Sequence, residues 1–65
     1  MTALITIHEL VRLTNQQLED LHEELSRLLT FTIKGSADRR NILATLENIE
    51  TVIHRRQTAH LLAAP

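Results

Sequence analysis

The sequence predicts an all-α protein: an antiparallel helical hairpin with a short helix in front, dimerising into a four-helix bundle. Three observations predict it. Leu18, Leu21, Leu25 and Leu28 recur at spacings of three and four residues, and Ile42, Leu46, Ile49 and Ile53 do the same further on. Apolar residues at that period mark one face of a helix packed on another helix. The only glycine, Gly35, stands between the two stripes beside Ser36, where one helix needs to stop and the next needs a cap. The apolar content is almost wholly aliphatic, with no Trp, no Tyr and a single Phe, Phe31. Such side chains suit helix packing and offer little for stacking bases or a flat cofactor.

The elements follow in chain order. Thr6-Ile7-His8-Glu9 has capping-box spacing, with Thr6 as the cap and Glu9 at the third helical position. Leu10, Val11 and Leu13 follow, so a short helix is expected over residues 6–13. Thr14-Asn15-Gln16-Gln17 repeats the signal with Gln17 in the Glu position and opens a long helix over residues 14–33. Nothing between the two is a strong breaker, so they can also run together. Leu29 widens the first stripe. Leu29-Thr30-Phe31-Thr32-Ile33 alternates apolar and polar, which alone reads as a strand. Its only available partner is Leu4–Ile7, and a helix feeds it, so a fraying helix end is the preferred reading. Lys34 suits the negative end of that helix. Ser36 then caps a second long helix over residues 37–60, with Asp38 in its first turn. Leu43 and Val52 widen its stripe. Arg56 and His60 fall where apolar residues would continue it, so packing is expected to weaken beyond Ile53. The apolar tail from Ala59 to Pro65 either frays or docks on a partner.

The whole is a single domain of 65 residues. A domain this short buries only about 60% of the surface that its unfolded chain exposes, and small scaffolds add disulfides, a metal or oligomerisation. Cysteine is absent, which excludes disulfides and thiolate metal sites. Both apolar stripes are wider than a two-helix seam requires, and two hairpins packed together bury them as a bundle. The expected core and dimer seam is therefore Leu18, Leu21, Leu25, Leu28, Ile42, Leu46, Ile49 and Ile53.

Composition narrows the function classes. Formal net charge is −1, which argues against a protein whose main task is neutralising phosphates. No apolar run approaches the ~20 residues that span a bilayer, and Met1-Thr2-Ala3-Leu4 lacks the basic start of a signal peptide. A cytoplasmic protein without membrane contact is expected. No HExxH, glycine-rich phosphate loop, serine elbow or cysteine nucleophile is present, so no enzyme activity and no cofactor are expected. Glu19-x-x-His22 has the spacing of carboxylate-bridged metal sites in bundles, with Glu47 or Glu50 as natural partners. The heptad places Glu19 and His22 away from the core, so a surface pair is expected there and no metal. His8 adds polar surface, Glu50 and His54 read as a surface pair, and His60 would make one end of the seam sensitive to pH.

Folding the chain at Gly35-Ser36 gathers six acids at its waist: Glu19, Asp20, Glu23, Glu24, Glu47 and Glu50. Arg27, Lys34, Arg39 and Arg40 fall near the turn, and Arg55 and Arg56 near the open end. A solvated surface is the ordinary reading. Arg39 and Arg40, however, oppose the dipole of the helix they begin, and neither has an acid four residues on. A broken local rule without compensation points to a contact. Arg39, Arg40, Arg55 and Arg56 are thus the candidates for partner or nucleic-acid contacts, although they lack aromatic companions and the acidic waist repels phosphate.

The plan of a short chain folding as a dimer of helical hairpins resembles the Rop family of plasmid RNA-binding regulators. That resemblance covers the fold plan alone, and no RNA-contacting residue carries over. Asp38-Arg39-Arg40-Asn41-Ile42-Leu43-Ala44-Thr45-Leu46-Glu47-Asn48-Ile49, with His8-Glu9-Leu10 upstream, resembles a group of short uncharacterised bacterial proteins with a capped helix and a Gly-Ser turn. The second resemblance implies a bacterial origin and the same fold, and no activity. The function expected is a non-enzymatic protein-interaction or regulatory module, with itself and a further protein as partners. The alternative is a small RNA- or DNA-binding regulator using the arginines at the hairpin ends.

Overall fold

The computed structural model describes residues 3–63, and side chains through Ala59. Three helices and, among the described residues, no strand make up the fold: α1 (Ile7–Leu10), α2 (Asn15–Leu29) and α3 (Ala37–Ala63).

α1 is one turn long. The Thr6 hydroxyl oxygen accepts from the Glu9 backbone N–H at 3.3 Å and donates to the Glu9 carboxylate at 3.2 Å. The helix ends at Leu10 because the Arg12 and Leu13 N–H groups turn to carbonyls three residues back, so the expected helix over 6–13 shortens to its first turn. It does not merge with α2. Thr14 interrupts it with an extended backbone and a complete capping box. The Thr14 hydroxyl oxygen accepts from Gln17 N–H at 3.1 Å, and the Gln17 side chain accepts from Thr14 N–H at 2.9 Å.

α2 stops at Leu29, four residues before the expected end at 33. The N–H groups of Thr30, Phe31 and Thr32 bond to carbonyls three residues back. The Thr30 and Thr32 hydroxyls donate to the Arg27 and Leu29 carbonyls, each at 2.8 Å. These hydroxyls satisfy carbonyls that a further helical turn would have used, which is how Thr competes with helix propagation. The segment therefore becomes neither helix nor strand. Ser36 N–H closes the turn on the Ile33 carbonyl at 3.0 Å, across Gly35 at φ +81°. Ser36 then caps α3, its hydroxyl oxygen accepting from Arg39 N–H at 3.1 Å.

α3 runs back along α2, so that Glu50 meets His22 and Arg56 meets Asn15. Beyond Arg56 it continues for seven residues to Ala63, three past the expected end at 60. At ~1.5 Å per residue that is about 10 Å of helix past the start of α2. The side chain of His60 and the tail beyond Ala59 lie outside the described side chains. No described helix is long and apolar enough to cross a membrane.

The core is Leu10, Leu18, Leu25, Ile42, Leu46, Ile49 and Val52, with Ile5, Ile7, Leu13, Leu21, Leu29 and Ile53 packed against it. Each fully buried aliphatic side chain contributes about 1.5–3 kcal/mol. Leu28, of the expected core and dimer seam, lies outside this core and is 41% exposed in the single chain. A straight helix drifts against a seven-residue repeat, so the core line passes from Leu18 and Leu25 to Leu29 and leaves Leu28 at its edge. Leu43, which widens the α3 stripe in sequence, is also 45% exposed.

The front of the chain belongs to the core. Leu10 is fully buried, and residues 5–13 lie along α3, so part of its wide stripe is covered by the chain itself. Ile5 is held at both ends of its backbone: its N–H donates to the Thr45 hydroxyl oxygen at 3.1 Å, and its carbonyl accepts from the Asn48 side-chain amide at 3.0 Å. Among the described residues, no buried side-chain polar atom lacks a partner.

Candidate functional site: the two flanks of the third helix

One flank of α3 carries Thr45, Asn48 and Arg56, with the buried Val52 between them at helical spacing, and its three polar residues bond to the N-terminal segment. Arg56 falls on this line, where the apolar stripe runs out. Its guanidinium donates to the Val11 carbonyl at 3.1 Å, the Leu13 carbonyl at 2.7 Å and the Asn15 side-chain oxygen at 2.7 Å. It collects the carbonyls that α1 leaves unpaired and ties them to the first residue of α2. A charged donor on several acceptors makes the stronger class of hydrogen bond.

The arginines near the turn also bond within the chain. Arg39 reaches across to the Leu29 carbonyl at 3.4 Å and the Thr32 hydroxyl at 3.3 Å. Its charge, unfavourable at the start of α3, thus sits at the negative end of α2. Arg40 donates to the Gly35 carbonyl at 2.9 Å. The local rule that this pair breaks in sequence is compensated across the turn, which supplies a structural reason for both residues. Arg55 is exposed and has no hydrogen bond or ion pair among the described residues.

The opposite flank of α3 is open. A groove of about 340 Å³ runs between α2 and α3, lined by Glu19, His22 and Glu23 on one side and Glu50, Ile53, His54 and Gln57 on the other. It continues past Glu19 and Gln57 towards Asn15 and Arg56. Ile53 is its apolar floor, and the methylenes of the long side chains form much of its walls. His22 Nε2 lies 3.3 Å from a Glu50 carboxylate oxygen, and His22 Nδ1 lies 3.5 Å from the Ser26 hydroxyl. Glu50 therefore turns to His22 on α2, not to His54 one turn along its own helix. Glu19 and Glu23 have no ion pair among the described residues; the ion pair of α2 itself is the exposed Glu24–Arg27 contact at 2.6 Å.

Glu19 and His22 do share this groove with Glu50. Even so, among the described residues no three His, Asp or Glu side chains are arranged to hold a metal. What the groove offers chemically is an acid-rimmed, apolar-floored slot open to solvent.

Sequence reasoning missed Leu10 as core and Thr45 and Asn48 as anchors. The usable signal was Thr45-x-x-Asn48, two polar residues beside the apolar stripe at i,i+3 spacing. Searches against protein-family models, curated proteins and solved structures match nothing.

Proposed function

We propose that this chain is a non-enzymatic protein-interaction module: a helical hairpin, braced on one flank by its own N-terminal segment, whose open flank another polypeptide covers to complete a helical bundle. The groove between α2 and α3 carries this reading. It leaves Ile53 half-buried and Leu43 exposed along a helix whose other flank is fully used. A second copy is one such polypeptide, giving a four-helix bundle, and it would bury Leu28 and Leu43, which are exposed but do not line the groove.

Sedimentation at micromolar concentration tests completion by a second copy. A dimer that dissociates on dilution supports it, and a monomer with unchanged helix content would sink it. The nucleic-acid reading draws less support, because Arg39, Arg40 and Arg56 bind carbonyls of their own chain.

A further inference from the structure

Resting on that interaction reading, we infer that the open groove between α2 and α3 receives a basic amphipathic helix from a different protein, and that its charge selects against a second copy of this chain.

The argument begins with where the charges are already used. Glu19, Glu23 and Glu50 rim the groove, and of these only Glu50 has a partner of possible positive charge, His22. Glu47 lies one turn of α3 from Glu50 towards the Gly35 turn, and it is exposed. Four of the chain's arginines are engaged elsewhere, Arg27 with Glu24 and Arg39, Arg40 and Arg56 with backbone carbonyls, and neither Arg12 nor Arg55 lines the groove. No Lys or Arg lines the groove between Glu19 and His54. The nearest, Arg56, lines its continuation and donates to the Val11 and Leu13 carbonyls, so Glu19 and Glu23 face the groove without an ion pair.

A second copy docked symmetrically on this face brings the same acids against themselves, because a two-fold interface is self-complementary. Like charges set close together at an interface suppress that pairing. A partner carrying Lys or Arg along its rim gains where the second copy loses.

Shape points to a helix. The slot lies between two helices packed side by side, and from Glu50 to Gln57 it extends along two turns of α3, about 10 Å. A third helix can set one or two aliphatic side chains over Ile53, with basic residues at the flanking positions reaching Glu19, Glu23 and Glu50. Anchors at i, i+3, i+4 and i+7 laid into a groove are a recurrent mode of helix recognition. The apolar floor distinguishes this slot from a bare acidic cluster, since carboxylates alone would hold small cations as well as a peptide.

The test uses the whole chain, isotope-labelled, and a peptide of about 14 residues built from Leu and Lys at helical spacing. Two controls accompany it: the same peptide with Glu for Lys, and the Leu/Lys composition scrambled to remove the apolar stripe. We expect the amphipathic Lys peptide to shift the amides of residues 19–23 and 50–57. Affinity should fall at least ten-fold in a Glu19→Lys/Glu23→Lys variant whose circular dichroism is unchanged. Glu50→Gln should give a smaller loss.

Three results would overturn the inference: equal binding of the scrambled or the acidic peptide, shifts centred on α1 or the turn, or an affinity untouched by charge reversal. Should the groove amides instead report concentration-dependent self-association at neutral pH, the second copy is the occupant; the interaction reading then stands and the basic-partner inference falls. If neither a peptide nor a second copy touches the groove, both fall.

Discussion

The two flanks of α3 have been built to different specifications. On one, Thr45, Asn48 and Arg56 each meet a defined partner in residues 5–15, and the polar atoms are satisfied one by one. On the other, Ile53 stands at the floor of a groove whose carboxylates face water. A polar group in a covered position is costly to leave unpaired, so the first flank is specified atom by atom. The second has no such constraint from within the chain, and its composition is free to answer to something outside it. Exposed hydrophobic surface beside unpaired charge is where interaction surfaces are found.

Substitutions can break this comparison, beginning with the largest effect. Ile49 is fully buried at the centre of the core. Ile49→Asp places an unpaired charge there, and a domain whose whole stability is about 5–15 kcal/mol does not survive that; far-UV circular dichroism should show the helical signal lost. Leu43→Asp, one turn before Glu47 on the open side, should leave that signal intact. If both variants unfold, the open flank is covered in the free protein and the contrast fails.

Thr45→Val is the next step down. It preserves the shape of a side chain only 1% exposed but leaves the Ile5 N–H without its acceptor. The expected loss is about 1–3 kcal/mol, read from denaturant midpoints, with faster amide exchange at Ile5 than at Ile49. Equal protection of the two amides would mean that the N-terminal segment is held by packing alone.

The smallest effect belongs to the open side. Glu23→Gln removes one unpaired carboxylate from an exposed position, and stability should change by no more than about 0.5 kcal/mol. A larger loss by thermal melting would reveal a stabilising role for that charge and place Glu23 with the specified flank.

The parts of this fold that were legible in the sequence are those decided locally. The Thr14–Gln17 box, the Gly35-Ser36 turn and the Ser36 cap each depend on residues within four positions of one another, so spacing alone exposes them. The line Leu18, Leu25, Ile42, Leu46 and Ile49 was legible because a buried stripe repeats. What spacing could not show is contact across the chain. Thr45 and Asn48 look like surface residues until Ile5, 40 and 43 positions away, is laid against them. Arg56 looks like the end of the packing and is instead its fastening. Leu28 follows the heptad line but lies outside the core of the single chain, because a straight helix drifts against that repeat. In the candidate site, Glu19, His22 and Glu50 were noticed as a possible ligand set; that they rim a groove depends on how α2 and α3 lie together, which no local pattern encodes.

The grip on Ile5 also sets an order of events. α2 and α3 are joined by a short turn and can meet soon after each forms, whereas the Thr45 and Asn48 bonds close loops of 40 and 43 residues. Loop closure costs entropy that contacts repay only once made, and distant contacts form late in folding. The segment around Ile5 is thus expected to be the last to dock and the first to leave. A partly opened molecule is a pair of helices with the Thr45 hydroxyl and the Asn48 amide released from Ile5, awaiting a segment that left the ribosome before either of them.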